Sequence, residues 1–266
     1  MREISKVGLL LVLLSFFQSC SEVPLIGRTQ MAFLPESNMV EMGLTGYSQF
    51  MNENKVSSDR VQTDMVKKAG ARIAVAVEEY LRQNGFQDRL NDFKWEFNLV
   101  ESDEINAWCM PGGKVVFYTG ILPLTQSEAG IAVVMGHEIA HAVARHGNER
   151  MSQQLLIQLG GVALSEAVKT KPEETQMIFL AAYGAGSQLG LLLPYSRKHE
   201  YEADRLGLMF MAMAGYDPNE APRFWARMSQ MGGSNTPEFL STHPVSEKRI
   251  AELNKLIPEA MNYYRK

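Results

Sequence analysis

The stretch that decides the fold is Ser127-Glu128-Ala129-Gly130-Ile131-Ala132-Val133-Val134-Met135-Gly136-His137-Glu138-Ile139-Ala140-His141. Ile131, Ala132, Val134 and Met135 build an apolar helix that leads directly into His137-Glu138-x-x-His141. Thr125-x-x-Glu128 has the spacing of a capping box at its start. On a helix of 3.6 residues per turn, the two histidines lie about 40° apart around the axis and about 6 Å apart along it. Their imidazoles can therefore meet one metal ion, with Glu138 beside them and within reach of a water at that ion.

A catalytic zinc needs a third protein ligand and an open position. Six residues past His141 stands Gly147, which removes the ligand pattern in which a third histidine follows at that distance. His146, one position earlier, points away from the metal and reads as a packing or hydrogen-bonding residue. The acidic segment Glu200-Tyr201-Glu202-Ala203-Asp204 is the better source. Glu200 and Asp204 share a helix face, so Glu200 is expected as ligand and Asp204 as the partner that orients a ligand histidine. His199 is the alternative third ligand, but it would leave Asp204 idle.

Outward from this centre, Phe93, Trp95, Phe97 and Leu99 alternate with polar residues as a half-buried strand. Residues 105–110 and 114–119 read as two strands joined at Pro111-Gly112-Gly113. Further upstream, Val61, Met65, Ala69, Ile73 and Val77 recur every four residues within a helical span of about 38–84 that stops at Asn84-Gly85. The fold class expected is α+β and mostly helical, a zincin-like metalloprotease domain with a small antiparallel sheet beside the HExxH helix. Residues 175–196 carry no charged side chain; Gln176, Ser187, Gln188 and Pro194 interrupt them, so a buried helix and connection is expected rather than a membrane span.

The chain has 266 residues, 45% hydrophobic and 21% charged, with 26 basic against 30 acidic side chains. That balance excludes a disordered polar chain and a strongly basic nucleic-acid binder, so no nucleic-acid partner is expected. Two cysteines, Cys20 and Cys109, cannot form a disulfide scaffold. Arg2 and Lys6 precede an apolar run from Gly8 to Phe17, and Gln18-Ser19-Cys20 follows, so residues 1–19 read as a leader. The cysteine after a small residue resembles a bacterial lipobox, with Cys20 as the lipidated first residue and the membrane as partner. Residues 20–36 are then a lipid-anchored tether with the first turns rather than a regular element, and 37–266 a single catalytic domain. Cys109 is left as a lone thiol, expected as a small core residue.

The two zinc-site motifs, together with Asn106-Ala107 before Pro111-Gly112-Gly113, Ala144-Arg145-His146, Tyr195-Ser196-Arg197 and Ser241-Thr242-His243-Pro244, resemble the HtpX and CAAX-prenyl-protease family of zinc metallopeptidases, of gluzincin type. Within it, the chain is similar to the lipoprotein-anchored periplasmic branch, without the tetratricopeptide domain found there. The resemblance implies one zinc ion per chain and a metalloendopeptidase acting on extended or unfolded polypeptides, in quality control at a bacterial envelope. The expected location is the outer membrane, facing the periplasm. Glu138 would be the general base. His243 would sit near the metal, either as an oxyanion donor or as a gate on the open position, with Arg249 a second candidate donor. Asn106 and Ala107 would border the cleft on a sheet edge, where a substrate could add as a further strand. Two other classes stay open: a chaperone or assembly factor with a latent protease site, and a zinc amidase acting on a non-protein envelope substrate.

Overall fold

The computed structural model describes residues 20–188, 192–231 and 237–265. Residues 1–19, which hold the expected leader, lie outside the described residues. Two compact units divide the chain, one of residues 1–35 with 145–199 and one of 36–144 with 200–266. The division runs through the stretch expected to be a single domain.

The first unit begins with β1 (Cys20–Glu22) and β2 (Thr29–Met31), an antiparallel pair in which Ser21 stands opposite Gln30. A tether with turns and no regular element is expected here; the turn is present, with Leu25 and Gly27 at positive φ values of 64° and 68°, and the strand pair is the departure. The segment after β2 is tied down, because Phe33 N donates to Ser152 Oγ (2.9 Å) and Asn148 Nδ2 donates to Leu34 O (2.8 Å).

In the second unit, α1 (Glu36–Glu53) and α2 (Arg60–Gln83) form the expected helical scaffold. Asp59 caps α2 by accepting from Gln62 N, and Asn84 with Gly85, at φ 81°, ends it. The buried face of α2 starts at Val66 and continues through Ala69, Ile73 and Val77. Val61, expected on that face, is exposed, because the first turn of the helix extends beyond the core.

Then follow β3 (Glu96–Val100), β4 (Ala107–Met110) and β5 (Lys114–Tyr118), in spatial order β3-β5-β4. The hairpin of β4 with β5 is antiparallel as expected, with Trp108 opposite Val116. The other pairing is parallel, Phe97 opposite Val115, so the sheet is mixed rather than antiparallel throughout. β5 is the central strand, and its Val115, Val116, Phe117 and Tyr118 are all buried, as suits a strand flanked on both sides. β4 is left at an edge, and it packs beside the helix that carries the HExxH residues.

After the short α3 (Leu122–Thr125) comes that helix, α4 (Glu128–Val143). Its cap is Ser127, whose hydroxyl accepts from Gly130 N (3.1 Å), and not Thr125, whose hydroxyl donates to Leu122 O within α3. Next in the chain, α5 (His146–Val168) and α6 (Glu173–Ser187) pack as a hairpin in the first unit. α7 (Leu193–Met213) then leads back into the second unit, followed by α8 (Glu220–Ser229), α9 (Glu238–Thr242) and α10 (Glu247–Met261). The expectation of a buried helix within 175–196 is not met: α6 has no buried residue. Among the described residues, no helix is long and apolar enough to cross a membrane.

Candidate metal centre

α4 and α7 cross where two glycines meet. A Cβ on Gly136 would lie 2.9 Å from Gly207 O, and one on Gly207 would lie 2.9 Å from His137 N. Only glycine at both positions lets the backbones approach this closely. Glu200 and Asp204, two turns and one turn before Gly207, are thereby laid against His137 and His141.

His137 Nε2, His141 Nε2, a Glu200 carboxylate oxygen and a His243 nitrogen all lie within 4.8 Å of one another. His137 Nε2 is 3.1 Å from His141 Nε2 and 3.1 Å from His243 Nδ1. Glu200 stands 3.4 Å from each of the first two imidazoles and 3.0 Å from His243 Nδ1. A tetrahedron with vertices about 2.0–2.1 Å from its centre has edges of about 3.3 Å, so these donors have the separation a zinc ion requires. The set of three imidazole nitrogens and one carboxylate is also the right chemistry for it.

The charge around the site suits a cation. Burial pulls the His137 pKa down, but Asp204 and Glu200 outweigh it and push it up to about 9 in the absence of a cation. With Nδ1–H directed at Asp204 Oδ1 (3.0 Å), the ring is oriented so that Nε2 faces the cluster, where a cation would take the place of its proton. Burial would raise Glu200, yet hydrogen bonds from His137, His141 and His243 hold it well below the usual carboxylate range.

Glu138 is buried beside the cluster, its Oε1 without a hydrogen bond among the described residues and 3.4 Å from His243 Nε2. Desolvation raises its pKa, which suits a group that takes up a proton. Such an orphaned buried oxygen asks for a solvent molecule as its partner.

Arg249 is bound to Asp204 and reaches Glu200. It is 2% exposed, with Nε 2.7 Å from Asp204 Oδ2 and Nη2 2.8 Å from Asp204 Oδ1. Its Nη1 donates to Pro244 O (3.2 Å) and lies 3.0 Å from Glu200 Oε2. The guanidinium also stacks on Trp225, 3.9 Å from the ring centre. Trp225 in turn stacks on Phe239, and Phe239 lies 4.8 Å from the His243 ring. Sequence reasoning missed Trp225 and Phe239, because in α8 and α9 both read as ordinary core residues.

Asn106 Oδ1 accepts from Ala107 N (2.9 Å) at the start of the edge strand β4, and Ala107 is buried. Cys109, on the same strand, has its thiol pKa pushed up by burial and by the charge of Glu138, which disfavours the thiolate. His199 Nε2 is 2.8 Å from Glu149 Oε2, a carboxylate that Arg28 also grips with two hydrogen bonds of 2.7 Å, and its ring stacks on His146. That partnership leaves His199 out of the ligand cluster.

Residues 67–257 match the family described as peptidase family M48. The chain belongs to that family. The resemblance to the HtpX-type zinc metallopeptidases is thereby borne out. Among relatives of this M48 chain is the mitochondrial metalloendopeptidase OMA1 of Schizosaccharomyces pombe, 41% identical over 182 residues, which cover 64% of this chain and 49% of the relative. The human OMA1 metalloendopeptidase is 32% identical over 270 residues, 97% of this chain and 49% of the relative. The beta-barrel assembly-enhancing protease of Escherichia coli is 27% identical over 246 residues, 90% and 47% respectively. The M48 chain thus spans about half the length of the curated relatives it matches.

Proposed function

We propose that this chain is a zinc-dependent endopeptidase that hydrolyses peptide bonds of unfolded or misassembled envelope proteins. The observation that carries the reading is the four-donor cluster of His137, His141, Glu200 and His243 with Glu138 buried beside it. A zinc ion held there would supply the Lewis acidity that makes water a nucleophile at neutral pH and polarises a peptide carbonyl. Glu138 accepts the proton of the attacking water and returns it to the leaving amine. Asp204 fixes the tautomer of His137, and Arg249 holds Asp204 and Glu200 in place, acting as a positioning residue.

His243 has a double role in this reading. Its Nδ1 lies among the candidate ligand atoms, which supports a reading in which His243 gates the position that solvent would need. Withdrawn from there, its ring can donate to the oxyanion. The unpaired side of β4, next to α4, offers main-chain groups to an extended polypeptide, beginning near Asn106 and Ala107. A preference for unfolded chains follows, and equal cleavage rates for the folded and denatured forms of one substrate would sink it.

The bacterial envelope setting draws on the lipobox-like Cys20 and on the printed name of the Escherichia coli relative, a beta-barrel assembly-enhancing protease. Lipid on Cys20 would hold the chain at the outer membrane, facing the periplasm. The deciding experiment measures metal content and digestion of an unfolded protein, wild type beside Glu200→Ala. One zinc per chain with cleavage in the first, and loss of both in the second, is expected. Cleavage that survives complete metal removal would overturn the reading.

A further inference from the structure

The α5–α6 hairpin carries an apolar surface that the metal centre does not use. On α5, Leu155, Leu159 and Val162 are exposed at helical spacing. On α6, the four consecutive residues Met177, Ile178, Phe179 and Leu180 are between 37% and 63% exposed. Consecutive residues on a helix point about 100° apart, so these four face nearly every direction around α6. A helix that docks on a protein partner presents one apolar stripe and keeps the other side polar. A helix apolar on all sides suits a medium that is apolar on all sides.

Charge is distributed to match. Residues 151–165 and 175–196 contain no charged side chain, whereas Glu166, Lys169, Lys171, Glu173 and Glu174 gather at the turn between the helices. α6 has 15 residues, about 22 Å of helix, too short for a hydrocarbon core of about 30 Å. The two arms are held together by Tyr183, whose hydroxyl donates to Ile157 O (2.9 Å) over Gly160.

The position of the chain's first residues supplies the second line of argument. β1 follows residues 1–19, with their apolar run from Gly8 to Phe17, and pairs with β2, which packs on α5 in the same unit. The unit that bears the exposed hairpin therefore begins at Cys20, the residue read as lipidated, which in that reading holds this unit beside a membrane. We infer that the α5–α6 hairpin lies in the interface of a lipid bilayer, with the apolar side chains of α6 among the acyl chains and the charged turn in the headgroup layer. This inference is independent of the metal-centre reading.

The test places a tryptophan at one exposed site in the full chain, Phe179→Trp or, as control on α2 of the second unit, Val61→Trp. Each is mixed with phosphatidylethanolamine–phosphatidylglycerol vesicles whose acyl chains are brominated, and the parent emission is subtracted. The emission of Phe179→Trp is expected to shift to shorter wavelength and to be quenched, while that of Val61→Trp is unchanged. Equal quenching at the two sites, or none at residue 179, would overturn the inference. So would a lipid-free dimer, seen by sedimentation velocity, that Ile178→Ser with Phe179→Ser dissolves, since a second copy would then be what covers the hairpin.

Discussion

Arg249 grips Asp204 through two parallel hydrogen bonds, Nε to Oδ2 at 2.7 Å and Nη2 to Oδ1 at 2.8 Å, and Asp204 Oδ1 lies 3.0 Å from His137 Nδ1. The same guanidinium reaches Glu200 and the carbonyl that follows His243. One side chain from the first turn of α10 thus braces two candidate ligands and the segment carrying a third. A lysine cannot reproduce this fork. Arg249→Lys and Arg249→Met are each expected to weaken zinc affinity about 10–100-fold. Competition against a chromophoric chelator measures it, with circular dichroism reporting the fold separately. Zinc affinity equal to wild type in both variants would show that the brace is dispensable.

Glu138 offers a cleaner separation of metal binding from chemistry. It is buried beside the cluster, and its Oε1 makes no hydrogen bond among the described residues. Glu138→Gln keeps the size and removes the base. Zinc content is expected to stay at the wild-type value, while cleavage of an unfolded substrate falls about 10²–10⁴-fold. A variant that lost its zinc along with its activity would give Glu138 a ligand's role instead.

Much of this site was legible because its spacing is local. His137 with His141, and Glu200 with Asp204, are each four residues apart on one helix, and helical geometry alone puts each pair on a common face. The part that was not legible depends on contacts between elements. No periodicity in α8 or α9 tells Trp225 and Phe239 from other core aromatics, because their special neighbours, Arg249 and His243, come from elsewhere in the chain. The direction of β3 against β5 was hidden for the same reason, since alternation marks a strand without naming its partner. In α6 the uncharged composition points to burial, although apolar residues on every side do not by themselves say what surrounds them.

The crossing of α4 on α7 makes a sharper test of packing. A methyl group at Gly136 or Gly207 would have to push backbone, 2.9 Å away in each case, and no flexible side chain can yield there. Gly136→Ala and Gly207→Ala are each expected to cost about 1–3 kcal/mol in chemical denaturation. Gly46, within α1, provides the contrast, because a Cβ there meets nothing within 4 Å. Gly46→Ala is expected to stabilise by about 0.5–1 kcal/mol. If all three substitutions behaved alike, the glycine contact would not be what sets the helix spacing.

Acid should loosen the same helix at its other end. Glu128, in the first turn of α4, accepts from Lys68 Nζ (2.8 Å) and Tyr216 Oη (2.6 Å). Partial burial would raise its pKa, but Lys68 and Tyr216 outweigh that and bring it below the model-peptide value of 4.5. A carboxylate whose pKa is lower in the folded chain than in the unfolded one stabilises the fold fully above the unfolded value. That contribution disappears as pH falls from about 4.5 through the folded value. Glu128→Gln should therefore be less stable than wild type by about 1–2 kcal/mol at pH 7, and the gap should close as pH drops below about 4. Urea denaturation of both proteins across that range reads the gap directly. A gap that stayed constant with pH would mean that the charge of Glu128, and with it the pull of Lys68 and the helix N-terminus, contributes nothing to holding α4 in place.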